Sequence, residues 1–353
     1  MRDRDLVPTQ AGRLPVGNRS SARTLILAEV GSVHDGSFGN AQCLIDLAAS
    51  CGADVVKFQT HIAEAETLRD APSPAHFHGE SRYDYFRRLS FTPEQWSSLR
   101  AHCEMRGVEF LSAPFSEEAV ELLERIGIKR YKVPSGEVTN LPLLERIAET
   151  GRPVFLSSGM SSWAELDRAV EVILRHHQQL VVLQCTSEYP CAYDRVGLNV
   201  MVEMKERYGL PVGLSDHTLT PYASLAAVAL GASVIERHLT FSRRMYGSDA
   251  RYALEPAEFS ELVQGIRAIE TMLAHPVDKD DIGPLEATRE VFQKSLVSLV
   301  PIPQGVTITK EMIGIKKPGH GLPPSRRGEV VGRRAAREIP AHRVIVEDDI
   351  DWS

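Results

Sequence analysis

Residues 130–159 read RYKVPSGEVTNLPLLERIAETGRPVFLSSG. The stretch opens on a short run suited to a strand (130–135). An amphipathic segment then runs from 141 to 150 and closes on Gly151, and a second strand-like run follows at 154–159. Leu143, Leu144 and Ile147 recur at helical spacing, so the middle segment predicts a helix with one apolar face. A strand, a helix and a strand in such quick succession return the chain to the same edge of a sheet, which makes the two strands parallel.

Outward from this unit the pattern repeats between residues 25 and 275. Strands are predicted at 25–31, 55–60 and 109–115 before it, and at 180–187, 211–217 and 234–240 after it. Helical segments separate them, including 162–177 and one that begins at Thr92-Pro93 and ends before Gly107. Eight such strands are the number that closes a (β/α)8 TIM barrel in about 250 residues. A doubly wound open sheet is the alternative for the same pattern.

Beyond residue 282 the texture changes to short strand-like pieces (295–300, 306–308, 343–346) among turns rich in Pro and Gly, such as 317–324. The expected organisation is a flexible leader at 1–24, an α/β barrel at 25–275, a linker at 276–290 and a small, mostly β domain at 291–353. The 353 residues carry a net charge of −7, which argues against a general nucleic-acid binder. Five scattered cysteines (Cys43, Cys51, Cys103, Cys185, Cys191) lack zinc-site spacing and fit reduced thiols in the cytoplasm. The leader has several arginines and no apolar core, unlike a signal peptide. The longest nearly apolar run, Tyr222 to Ile235, is shorter than the roughly 20 residues of a membrane span.

A barrel of this kind gathers its chemistry at the C-terminal ends of its strands. Polar residues collect there. Glu29 ends the first strand, and Lys57 and Gln59 lie on the second. Lys132, Ser135 and Glu137 follow on the fourth, with Ser157 and Ser158 on the fifth and Thr186, Ser187 and Tyr189 on the sixth. Ser215 and His217 close the seventh, and Glu236 and His238 the eighth. Any one of these residues fits an ordinary structural role. Charges inside apolar strands are different, because burying an unpaired charge costs several kcal/mol. Lysines with serines suit an anion bearing phosphate or carboxylate, and two histidines beside Glu236 suit a divalent metal with open positions. The same two histidines also fit a metal-free, hydrogen-bonded pair.

The motifs AEVGSVHDGS (28–37), GADVVKFQTH (52–61), FLSAPFS (110–116) and YKVPSGEVTNLPLL (131–144) resemble the sialic-acid synthase family. So do LSSGMSS (156–162), QCTSEYP (184–190), GLSDHT (213–218) and ERHLT (236–240), and KKPGHGLPP (316–324) resembles the family's antifreeze-like, or SAF, domain. The resemblance implies a synthase that joins phosphoenolpyruvate to an open-chain, N-acetylated amino sugar. A manganese or magnesium ion is expected on His217 and His238. Lys57, Lys132, Ser135, Ser157, Ser187 and Ser215 are expected to hold phosphoenolpyruvate. Gln59, Tyr83, Glu137, Tyr189 and Asp249, with Lys317 of the SAF domain, are expected at the sugar. Glu29, Glu137 and Glu236 are the candidates for proton handling. A domain-swapped homodimer is implied as well.

Three positions depart from the family's pattern. Val33 stands where asparagine is usual, Ala113 where threonine is frequent, and Lys317 where an arginine reaches the N-acetyl group. Lysine offers a point charge in place of a planar fork. N-acetylmannosamine and a bacterial diacetamido sugar are both compatible with these changes. Two other readings of the same residues are a metal-dependent aldolase or hydrolase and a non-catalytic carbohydrate-binding protein.

Overall fold

A computed structural model describes residues 23–73 and 79–353. The expected leader therefore lies outside the described residues except for Arg23 and Thr24. The chain divides at His275/Pro276 into two compact units.

The first unit is a closed barrel of eight parallel strands in chain order: β1 (Leu25–Glu29), β2 (Val55–Thr60), β3 (Glu109–Pro114), β4 (Tyr131–Val133), β5 (Val154–Ser157), β6 (Leu180–Cys185), β7 (Val212–Ser215) and β8 (Val234–His238). Closure is made by β8 pairing with β1, where Glu29 stands opposite His238. The open doubly wound sheet is thereby excluded.

Side chains alternate along each strand. One set (Ile26, Ala28, Val56, Phe58, Tyr131) faces the surrounding helices in a large apolar layer. The other fills the barrel with a plug of Leu27, Val55, Leu111, Phe155, Leu183 and Val234. Gly213 is required by this plug: a Cβ there would fall 2.3 Å from the Val234 carbonyl oxygen and 2.6 Å from Leu183 Cδ2. Two residues beyond four of these six plug residues, the same inward face becomes polar. Leu27 gives way to Glu29, Val55 to Lys57, Phe155 to Ser157 and Val234 to Glu236.

Helix starts follow local capping chemistry. Asn140 accepts from Leu143 N to begin the helix Leu141–Ala148, and Ser162 with Glu165 forms a capping box for Trp163–Leu174. Thr92, Pro93 and Gln95 do the same for Pro93–Met105.

In the second unit β9 (Ser295–Ser298) pairs antiparallel with β10 (Ile313–Lys316), and β11 (Arg334–Ala335) with β12 (Ile350–Asp351). Its core includes Leu296, Ile302, Ile308, Ile313, Ile339 and Ile345. The pieces expected at 306–308 and 343–346 form only single bridges, Thr307 to Arg334 and Val344 to Val297. Nearby Pro303 and Pro340 lack the N–H that longer ladders need. The helix Glu286–Phe292 runs through the boundary expected at 290/291. No helix among the described residues is long and apolar enough to cross a membrane.

Candidate active site

The polar ends of the barrel strands form one connected charge network. Lys57 Nζ lies 2.8 Å from Glu29 Oε1 and 3.8 Å from Glu236 Oε1, and Lys132 Nζ lies 3.7 Å from the same Glu236 oxygen. All four side chains are at most 7 % exposed, so the charges depend on each other for stabilisation. Burial alone would raise the Glu236 pKa, but Lys132, Lys57 and a 3.0 Å hydrogen bond from Ser215 pull it well below the ordinary range. Lys57 is likewise held in its charged form, its pKa raised. Burial works against its charge, and Glu236 and Glu29 more than reverse this. Lys132 goes the other way, because burial outweighs the attraction of Glu236 and Lys57 adds repulsion. An anion placed between the two lysines would offset that repulsion.

A cradle for such an anion stands next to Lys132. Lys132 donates to Ser157 Oγ at 2.7 Å. Ser135 Oγ accepts from Gly159 N at 3.0 Å. A Cβ on Gly159 would meet Ser187 Oγ at 2.3 Å and Ser135 Oγ at 2.6 Å, so both hydroxyls converge where residue 159 has no side chain. The six residues expected at phosphoenolpyruvate are thus delivered by β2 and β4 to β7 and the loops that follow them.

His217, two residues beyond β7, and His238, the last residue of β8, have ring centroids 5.7 Å apart, and Tyr189 lies over His217 at 4.1 Å. His217 Nδ1 is 2.9 Å from the Thr186 carbonyl, which fixes N–H at Nδ1 and makes Nε2 the nitrogen open to a ligand once deprotonated. Burial lowers the His238 pKa, and its Nδ1 has no hydrogen-bond partner among the described residues. Beside it, Asp249 Oδ2 accepts from Ser32 N at 2.7 Å and Ser32 Oγ at 2.8 Å. Gly31 makes room for both, since a Cβ there would lie 2.3 Å from Asp249 Oδ2 and 3.2 Å from His238 Cε1. Among the described residues no group of three or more His, Cys, Asp or Glu side chains is arranged to hold a metal. The two histidines suit an ion whose remaining positions go to water and substrate.

A cavity of about 440 Å³ opens at this mouth, and Gln59, Tyr189, His238 and Asp249 line it. Glu137 lines a neighbouring cavity of about 530 Å³ with Glu66 and Arg82. Burial raises its carboxyl pKa, although Asn140 donates to it at 2.8 Å. Tyr83 does not line the first cavity. Its hydroxyl donates to Glu64 at 2.8 Å, and Arg69 covers its ring. Tyr85, one helical register away, lines the cavity and is bonded to Ser248 Oγ at 2.9 Å. Lys317, in the second unit, lies over the Phe292 ring at 5.0 Å. Val33 is fully buried in the apolar layer, and Ala113 is fully buried on β3.

Several residues here escaped sequence reasoning. His34 and His61 line the cavity. Cys185 is buried, and its pKa falls to about 7: burial pushes it up, and His217, Ser135 and Lys132 more than offset this. Arg237, on the outer face of β8, is 2.5 Å from Asp216 Oδ2 and donates to the Thr218 carbonyl at 2.6 Å, which braces the loop carrying His217. Alternation could have found Arg237, since a charge between two inward residues must be buried among the helices.

Fold and site together define a (β/α)8 barrel with two buried lysines and converging serines beside paired histidines, followed by a small β domain. The chain belongs to the NeuB family, whose model matches residues 44–278, and a SAF domain matches residues 293–351. It is 35% identical over 333 residues to an N,N'-diacetyllegionaminic acid synthase of Campylobacter jejuni, covering 92% of this chain and 99% of that one. It is also 35% identical to the human N-acetylneuraminate-9-phosphate synthase, with 92% of each chain covered. A solved sialic acid synthetase from Leptospira borgpetersenii superposes with a TM-score of 0.67 at 27% identity, covering 76% of this chain and 92% of that one.

Proposed function

We propose that this protein is a nonulosonic acid synthase that condenses phosphoenolpyruvate with the open-chain form of an N-acetylmannosamine-type sugar. The observation that carries the reading is the buried Lys57/Lys132 cradle, with its converging serines, set directly beside His217 and His238. Relatives named as synthases of legionaminic, N-acetylneuraminic and pseudaminic acids support it.

The overall reaction forms a bond between C3 of phosphoenolpyruvate and the aldehyde carbon. Water adds at C2, and phosphate departs with its C–O bond broken. Lys57, Lys132, Ser135, Ser157, Ser187 and Ser215 bind and orient the phosphate and carboxylate groups by charge-assisted hydrogen bonds. Gln59, Tyr189 and Asp249 hold the sugar chain, with Glu137 and Lys317 as further contacts. A manganese or magnesium ion held by His217 and His238 would supply Lewis-acid polarisation of the aldehyde. Glu236, kept ionised by two lysines, stabilises positive charge instead of donating a proton. Glu29 is the further candidate for proton handling; its Oε1 is taken by Lys57 and Gln59, and its Oε2, like that of Glu236, has no hydrogen-bond partner among the described residues. A homodimer exchanging SAF domains, working in the cytoplasm, completes the reading.

The test is phosphate release from phosphoenolpyruvate and manganese with N-acetylmannosamine, its 6-phosphate, mannose and 2,4-diacetamido-trideoxyhexoses. Release with one N-acetylated sugar, abolished by chelator, establishes the synthase. Turnover of a sugar without phosphoenolpyruvate replaces it with an aldolase or hydrolase.

A further inference from the structure

We infer that His61, backed by Glu66, is a positioning residue that turns the amide of Gln59 so that an N–H donor faces the sugar. The inference rests on the synthase reading above. The His61 ring is held as the middle layer of a stack, with the Phe86 centroid at 4.0 Å and an interplanar angle of 16°, and Phe115 at 4.1 Å and 24°. Both ring nitrogens are engaged. Nδ1 lies 2.7 Å from Glu66 Oε1, and Nε2 lies 3.1 Å from Gln59 Oε1. The far end of the same amide donates from Nε2 to Glu29 Oε1 at 2.6 Å, and Glu29 Oε1 is the oxygen that meets Lys57.

This chain has a direction. Glu29 requires a donor from Gln59, so the amide oxygen must point to His61, and His61 must present N–H to it. Reversing the amide would set its oxygen against the Glu29 carboxylate and its NH2 against an N–H. On the other side of the ring, Nδ1 is held by Glu66. One N–H of Gln59 is left over, and Gln59 lines the cavity where the sugar is placed. A fixed donor there selects an acceptor oxygen on the sugar, such as an acetamido carbonyl. Without His61 the amide could rotate and offer either end.

The stack also ties the cavity wall to the barrel. Phe86 belongs to the helix Arg82–Leu89, whose Tyr85, Phe86 and Leu89 line the cavity, and Ser90 Oγ donates to the His61 carbonyl at 2.9 Å. A purely structural role would therefore reside in the ring, and the positioning role in its Nε2–H. The two separate by substitution.

His61→Phe keeps the aromatic stack and removes both ring nitrogens, and His61→Gln retains one donor toward Gln59. For His61→Phe, kcat/KM for the sugar should fall roughly tenfold to a hundredfold while KM for phosphoenolpyruvate stays unchanged. His61→Gln should recover part of the loss. Combined with Gln59→Ala, His61→Phe should add nothing further, because both act through one amide. An unchanged sugar kcat/KM, or fully additive losses, overturns the inference. If the wild-type protein releases no phosphate with any sugar, the synthase reading fails instead. A spectrum of the ¹⁵N-labelled histidines, assigned with His61→Phe, then decides the matter without activity: hydrogen on His61 Nε2 upholds the inference, and a bare Nε2 overturns it.

Discussion

Lys57 and Glu29 face each other from paired positions on β2 and β1, with 2.8 Å between ammonium and carboxylate and almost no exposure of either. The register of the barrel produces this pair. Two charges at that depth are tolerable only together, and they stand where a reacting anion would arrive. The site is therefore a stability liability that is held by mutual compensation.

Removing one member exposes that dependence. Lys57→Met should abolish phosphate release and lower unfolding stability by about 3–5 kcal/mol, since Glu29 stays buried and uncompensated. Lys57→Met/Glu29→Gln should regain much of the stability in urea unfolding and none of the activity. A single variant as stable as wild type would mean that water solvates Glu29.

Gly159→Ala tests the anion cradle. The added methyl would fall 2.3 Å from Ser187 Oγ and 2.6 Å from Ser135 Oγ, so one hydroxyl must withdraw. Losing one charge-assisted hydrogen bond, at about 1.5–3 kcal/mol, should raise KM for phosphoenolpyruvate at least tenfold. Steady-state kinetics should leave KM for the sugar unaffected. An equal rise for both substrates would place the cradle elsewhere.

Most of the barrel was legible because its strands and helices differ in period and its caps are local. Asn140, Ser162 and Thr92 start helices through contacts a few residues away, which a sequence displays directly. The inward series at spacing two likewise exposed Lys57, Lys132 and Glu236. What stayed hidden depends on partners distant along the chain. His61 owes its role to Phe86 and Phe115, and Arg237 to the fold of the loop after β7. The resemblance places Tyr83 at the sugar, whereas Tyr85, two residues further along the same short helix, lines the cavity, and only the rotation of that helix separates them. In the SAF domain, single bridges replaced expected strands, because proline interrupts ladders without erasing the β-branched composition that suggests them.

The metal reading makes its own demand. Two imidazoles alone bind a divalent ion weakly, so chelator should strip it quickly and abolish phosphate release, and added manganese should restore it. Burial works against a charged His217, but Cys185, the Thr186 carbonyl and Glu236 favour protonation enough to raise its pKa, so a metal must displace that proton. Manganese binding, followed by equilibrium dialysis, should therefore strengthen as pH rises, and His217→Ala or His238→Ala should eliminate it. Tight binding retained by His238→Ala would move the ion to other ligands.

His34 gives a pH signature in stability that is independent of catalysis. Burial holds its imidazole neutral, with a pKa lowered to about 4, and the ring is wedged 4.8 Å from Phe91 with Nδ1 accepting from Gly36 N. The unfolded chain binds a proton near pH 6.5, and the folded chain resists it until about 4. Stability from this residue is thus complete above pH 6.5 and declines as pH falls toward 4. The total loss is about 3 kcal/mol, from 1.36 kcal/mol per pH unit across the gap. Urea unfolding at pH 7.5 and pH 4.5 should show a steeper loss for wild type than for His34→Asn, which keeps an acceptor for Gly36 but does not titrate. Equal slopes in the two proteins would mean that acid lability arises at other groups and that His34 accepts its proton in place.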